Sequence, residues 1–485
     1  MGRKLLFFLI IGLTGINFIH AQTASVGIGT SNPSNSAALE IQSSTKGMLF
    51  PRMTTTQRNA IASPAMGLLV FDTDKHCLFL FDGASWQAIS ILGENNSQPI
   101  GRVSADLETG DLFGSSVSLS GNYAIIGAPG DSINAIDQGS AYIFVRQGND
   151  WVQQAKLVAG DGAADDAFGH SVAISGDFAV VGAPFDDVII PPFLNLENRG
   201  SIYIFRRTGS VWNQFIKLSG TEGAANDLLG YSVSISGNYI IAGAWGDDID
   251  GKSNQGSAYI YFFDGTAWAQ QAKLVPGDGA ANDELGYSVS ISGDNVVIGA
   301  PGHTGPLTQI GKAYVWFRIG TIWFFDEVLE DDPLTASSGD RFGESVSISG
   351  LQIIISSERS GKSGKSSSGF LMFFERVGTS WVWRGSVWAA DAEVGDFLGH
   401  NVFINGNIAI AGATGDNSGA YENLGSAYVF KRSGNNWTFF RKIEIPANIE
   451  IKSFGNSVAL DGNNILIGTS PDQFGRGKVY FLNLE

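Results

Sequence analysis

At 485 residues the chain is long enough for about three domains, and its single cysteine, Cys77, excludes a disulfide-stapled scaffold. Glycine accounts for 63 residues, almost twice the usual ~7%, while charged residues make up 16% against a usual ~25%. With 44% hydrophobic residues, disordered and collagen-like chains are excluded, and the net charge of −17 opposes binding to nucleic-acid phosphates or anionic lipid and favours cations.

In chain order, residues 1–21 read as a secretory signal. Arg3 and Lys4 precede an apolar stretch, Leu5 to Leu13, that is too short to span a bilayer, and Ala21 offers a small-residue cleavage point. No later stretch is long and apolar enough for a membrane helix. The expectation is an exported protein, secreted or at the cell surface or periplasmic, with no integral membrane segment once the signal is removed.

Residues 22–95 form a separate small module. A short helix over Thr55 to Ala62 is expected, followed by a hairpin with strands Leu68 to Asp72 and Cys77 to Phe81, and the polar stretch Glu94 to Ser97 reads as a linker.

From there to the end the chain repeats. Seven anchors recur: Phe113-Gly114, Phe168-Gly169, Leu229-Gly230, Leu285-Gly286, Phe342-Gly343, Leu398-Gly399 and Phe454-Gly455, with glycines spaced 55, 61, 56, 57, 56 and 56 apart. After each anchor come a short strand, a tight turn such as Gly121-Asn122, and a second strand, which in most units ends in Gly-Ala. A third strand follows, typified by Gly139-Ser140-Ala141-Tyr142-Ile143-Phe144. A turn then leads to a fourth strand opened by Trp151, Trp212, Trp268, Trp323, Trp381 or Trp437. One four-stranded antiparallel sheet cannot bury both faces, so residues 96–485 are expected to form a seven-bladed β-propeller, making the protein all-β beside a small α+β module. The seventh unit ends at Glu485 without a fourth strand. The segment Gln98 to Ala105 is expected to supply it beside Val479 to Leu482, with the hairpin Phe81 to Ser90, which carries Trp86, as the second candidate.

The pattern resembles the FG-GAP repeats of the integrin α-subunit head, named for elements that stand here as Phe168-Gly169 and Gly182-Ala183-Pro184. The resemblance covers about residues 98 to 485 and implies extracellular recognition, adhesion or assembly. Integrin-type calcium loops lie between the first and second strands. Here that place holds only tight turns such as Gly237-Asn238, so those sites are not carried over. Val26 to Thr30, Lys46 to Met53 and Gly67 to Phe71 resemble an N-terminal module of secreted and tail-fibre-like bacterial surface proteins. Related modules trimerise, which implies a homo-oligomer through residues 22–95.

Two acidic series are expected on one face. Asp111, Asp166, Asp227, Asp283, Asp340 and Asp396 stand two residues before their anchors, with Lys452 the exception. Asp131, Asp186, Asp247, Asp416 and Asp472 stand four residues after the glycine of Gly-Ala or its counterpart. An antiparallel register sets Asp166 opposite Asp187, Asp227 opposite Asp248 and Asp396 opposite Asn417, with Asp111 diagonal to Asp131. Two readings stand side by side: a calcium ion held among these carboxylates, or aspartates that close turns by accepting backbone N–H bonds. No cofactor is required, and calcium is the candidate ion.

The residue after each anchor varies while its surroundings repeat: Ser115, His170, Tyr231, Tyr287, Glu344, His400 and Asn456. This makes a candidate ligand rim for a protein or glycan, against the alternative of a freely drifting solvent-facing position. His170 and His400 lie three blades apart and do not make an acid–base pair, and Gly361 to Ser366 lacks the phosphate-loop spacing. Unit five departs most, with Ser356-Ser357-Glu358 in place of Gly-Ala-Pro and Arg359 beside it. The sequence therefore points to a non-enzymatic recognition or adhesion protein, with a structural fibre subunit and a carbohydrate-active enzyme as the alternatives.

Overall fold

The computed structural model describes residues 26–484 except 31–33, 35–36, 75–76, 84, 90–98, 149, 191–193, 332–335, 362–364, 418–421, 446–451 and 471–474. The expected signal, the linker and Asp472 lie outside the described residues. The chain divides into two compact units, Met1–Asn95 and Asn96–Glu485. Among the described residues no helix is long and apolar enough to cross a membrane.

The first unit is small and mostly β. Val26–Ile28 and Leu39–Ile41 pair in parallel, Val26 opposite Leu39 and Ile28 opposite Ile41. Arg52–Met53, Leu69–Asp72, Cys77–Phe81 and Trp86–Ile89 form a four-stranded sheet in that order, parallel in its first pair and antiparallel thereafter. The helix runs Thr55–Asn59, closed at its start by reciprocal hydrogen bonds between Thr54 and Gln57. It is shorter than the expected Thr55 to Ala62, being capped at Ala60, and the chain then turns left-handed at Ser63 (φ 48°) ahead of Pro64. Arg58 packs over the Phe79 ring at 3.6 Å and pairs with the buried Asp72. Trp86 belongs to this sheet, which removes the second candidate for closing the propeller.

The second unit is seven four-stranded antiparallel sheets. Blade 1 spans residues 117–157, blade 2 171–218, blade 3 232–274, blade 4 288–329, blade 5 346–387, blade 6 398–443, and blade 7 452–483. Blade 7 takes its fourth strand from Ile100–Arg102, with Arg102 opposite Val479 and Ile100 opposite Phe481. The first and last strands of the propeller are thus stitched into one sheet, as expected. Each blade's first hairpin turns at a glycine with φ of 57–59°, a conformation that matches the twist of the strands it joins. Blade 2 adds a small hairpin, Val188–Ile190 with Leu194–Leu196.

The innermost strands contact one another in a closed ring, blade 7 returning to blade 1. An inner strand is a sheet edge with unpaired N–H groups, and serines of the neighbouring blade satisfy many of them. Ser118 Oγ accepts from Ile174 N at 3.2 Å, Ser290 from Ile348 at 3.1 Å and Ser347 from Ile404 at 3.1 Å. In the other direction Ser116, Ser171, Ser232 and Ser288 donate to the anchor carbonyls of Gly169, Gly230, Gly286 and Gly343. Ser457 closes the circle onto Gly114. Small residues on the inner strands are therefore also the hydrogen-bonding cement between blades. Close approach explains the glycine of Gly-Ala: a Cβ on Gly182 would stand 1.9 Å from the Gly230 carbonyl.

Apolar cores lie between blades, each cluster drawing from two or more neighbouring sheets. The tryptophans key each blade to the one before. Trp151 stacks on Phe481 of blade 7 at 4.6 Å, and Trp212, Trp268 and Trp323 meet Tyr123, Phe178 and Tyr239 edge-on. Trp381 donates to Asp326 of blade 4, and Trp437 stacks on Phe373 at 4.5 Å. Each such ring pair adds about 0.5–1.5 kcal/mol beyond its buried area.

Candidate functional site

The aspartates of the first series are buried beside their anchors. Each accepts the backbone N–H three residues upstream: Asp111 from Glu108, Asp166 from Ala163 and Asp227 from Ala224 at 2.6 Å, Asp283 from Ala280, Asp340 from Ser337 and Asp396 from Glu393. The turn-closing geometry is present in all six. Burial, and then the charge of Asp186, push the Asp166 carboxyl up to about 6. Burial and Asp247 do the same to Asp227.

The second series has partners the sequence reading missed. In blade 1, Asp131 Oδ2 accepts from Ser140 Oγ at 2.6 Å and Tyr142 OH at 2.8 Å, and pairs with Lys156 Nζ at 2.7 Å. Lys156 also reaches Asp106 at 2.6 Å. Blade 2 repeats the arrangement with Asp186, Ser201, Lys217 and Asp161, and blade 3 with Asp247, Ser257, Tyr259 and Lys273. Blade 6 repeats it with Asp416, Ser426, Tyr428, Lys442 and Asp391. Burial opposes charge on Lys217, but Asp161 and Asp186 outweigh it and raise its pKa. Asp161 is itself held below the usual carboxylate range, its burial outweighed by Lys217. The positive group required between close carboxylates is a lysine ammonium on the fourth strand. Its signal was a Lys-Leu or Lys-Ile pair, 156–157, 217–218, 273–274 and 442–443, on the fourth strands of blades 1, 2, 3 and 6.

Of the residues expected to face the first series, Asp187 accepts from Asn198 N, Asp248 from Asn254 N and Asn417 from Asn423 N, and the charge of Asp187 adds to the upward push on Asp166. Among the described residues, no group of three or more His, Cys, Asp and Glu side chains is placed to hold a metal ion.

The seven varied residues do come together. Ser115, His170, Tyr231, Tyr287, Glu344, His400 and Asn456 all line one axial cavity of about 390 Å³, with inner-strand residues, mostly serines and valines, as its remaining wall. Its two sides differ. On blades 2 to 4, His170 lies 4.6 Å from Tyr231 and Tyr231 lies 5.1 Å from Tyr287, with Phe185 and Trp245 packed behind them. On blades 5 to 7 the side is polar. His400 Nδ1 is 2.8 Å from Glu358 Oε2, Arg341 lies 2.9 Å from Glu284 and 3.4 Å from Glu344, and Arg359 lies 3.7 Å from Glu344. Asn456 Nδ2 donates to Ser115 O at 3.4 Å.

Burial and then the charge of Glu358 push the Glu344 carboxyl up to about 7. His170 is pushed down by burial, whereas for His400 the Glu358 carboxylate outweighs burial and raises the pKa. The two histidines thus sit in opposite electrostatic settings.

Compared with known families, residues 103–144, 151–205, 212–261, 268–316 and 381–430 match the FG-GAP repeat, together more than half of the chain. Residues 27–101 match a phage tail like trimerisation region. Each repeat match runs into the third strand of a blade. The matched ranges skip the first three strands of blades 5 and 7. No curated protein matches the chain.

Proposed function

The chain belongs to the FG-GAP repeat family, and from that premise we propose an exported, non-enzymatic surface or fibre protein. It assembles as a trimer through its N-terminal unit and recognises a protein or glycan at the axial mouth of its propellers. One observation carries the recognition role: seven side chains of five kinds occupy a single repeat position and converge on one cavity, beside inner-strand positions that are mostly serine and valine. Mobility of chemistry on a constant frame is what a binding site built on a fold requires.

The trimer rests on the match over residues 27–101 and on the parallel strand pair near the start of the described chain. Val26, Ile28, Leu39 and Ile41 are 40–54% exposed, although a parallel pair is ordinarily covered on its faces. Copies of the chain provide that cover. Light scattering on residues 22–485 is expected to return three times the chain mass across micromolar concentrations. A monomer at those concentrations overturns the assembly.

A further inference from the structure

We propose that the axial mouth is a carbohydrate subsite. Tyr231 and Tyr287 stack on the C–H face of a sugar ring, while Glu344, His400, Asn456 and Ser115 meet its hydroxyls. The inference rests on the recognition role proposed above and names its ligand class.

Three features select that class. The cavity is near the lower end of the ~300–1,000 Å³ typical of small-ligand clefts, so it takes a short ligand or the end of a longer chain. One wall is aromatic and the opposite wall polar, which matches a ring with an apolar face and a hydroxylated edge. The polar wall is also charge-balanced: Glu284, Glu344 and Glu358 are set against Arg341, Arg359 and His400, leaving little net charge to reward an ionic ligand.

Hydrogen-bonding capacity is left over at the mouth. Glu344, which lines the cavity and is 8% exposed, has an Oε2 with no hydrogen-bond partner. Unpaired buried polar atoms are costly, and a neutral ligand rich in hydroxyls can act as both donor and acceptor. A peptide is less well served, because N–H groups on the inner strands, such as those of Ile174, Ile348 and Ile404, are already bonded to neighbouring serines.

Saturation-transfer NMR on residues 22–485 tests this, with the methyl α- and β-glycosides of glucose, galactose, mannose and N-acetylglucosamine as probes. At least one is expected to receive saturation on its ring C–H protons. Tyr231→Ala or Tyr287→Ala weakens that binding about tenfold at an unchanged melting temperature, and Tyr231→Phe, which keeps the ring, restores it. Silence from every glycoside overturns the assignment. So does equal binding by the alanine variants, or transfer to the capped peptide acetyl-Gly-Leu-Gly-amide in place of the sugars. Light scattering on the same samples keeps the readings apart. A trimer silent to sugars loses only the carbohydrate, and a monomer that binds one loses only the assembly.

Discussion

Blades 2 and 5 are built on the same four antiparallel strands, yet their rims are held together differently. Blade 2 carries Gly182, Asp186, Ser201, Tyr203 and Lys217, an ion-pair cluster closed by Asp161. At the matching positions blade 5 carries Ser356, Ser360, Phe370, Met372 and Ser386, and neither the acid nor the lysine is present. Phe370 and Met372 instead join an apolar cluster shared with blade 4. The aspartate and its lysine are lost together, as expected if each exists to neutralise the other. Blade 5 spends the freed loop on Glu358 and Arg359, which reach the axial mouth. Where blade 2 carries Pro184 and Phe185, blade 5 thus places a charged pair beside the axial cavity.

The largest effect should come from removing the lysine. Lys217→Met strands Asp186, whose side chain is 4% exposed, and should cost about 3 kcal/mol in denaturant unfolding, whereas Ser386→Met in blade 5 should cost under about 0.5 kcal/mol. Adding Asp186→Asn to Lys217→Met should return at least half of the loss. Equal effects in the two blades would dissolve the comparison.

A smaller effect concerns pH. In the folded protein Asp166 and Asp227 hold their protons to about pH 6, but in the unfolded chain only to about 3.9. Between those values the folded state binds more protons, so their contribution to stability falls as pH rises from 4 to 6, by on the order of 1 kcal/mol. Asp106, Asp161 and Asp391, with lowered pKa values, act in the opposite sense and only below about pH 4. Asp166→Asn should flatten the profile between pH 4 and 6, and an unaltered slope would remove burial as the cause. Glu344 in blade 5, raised to about 7, extends the same downward trend to higher pH.

The smallest effect is expected from calcium. With lysines already between the carboxylates of blades 1, 2, 3 and 6, adding calcium after chelation should leave the melting temperature within about 1 °C. A calcium-specific rise would return Asp111, Asp131, Asp166, Asp186, Asp187, Asp227, Asp247, Asp248, Asp396 and Asp416 to consideration as ligands.

Much of the architecture was legible beforehand because it is written in local chemistry. Glycines that can turn left-handed mark every first hairpin, and apolar alternation marks the strands between them. The seventh unit's missing strand pointed to Ile100–Arg102 by simple counting. The varied position after each anchor picked out seven residues that line one axial cavity. The partners of the acidic series were less accessible. Asp131 and Lys156 are separated by a loop, a third strand and a turn, and a spacing pattern searched within one loop does not connect them. The helix end at Asn59 was missed because Ala60, a strong helix former, serves as its C-cap.

Repeat number, strand order and the identity of the mouth residues follow from the chain alone, since backbone turns and strand periodicity depend on neighbours a few residues away. Folding chose the counter-charge for each aspartate, the serine for each inner-strand N–H and the division of the mouth into an aromatic and a polar wall. Electrostatic and hydrogen-bonding partners are selected by distance in space, and in a ring of seven blades the nearest group is often more than fifty residues away in the chain.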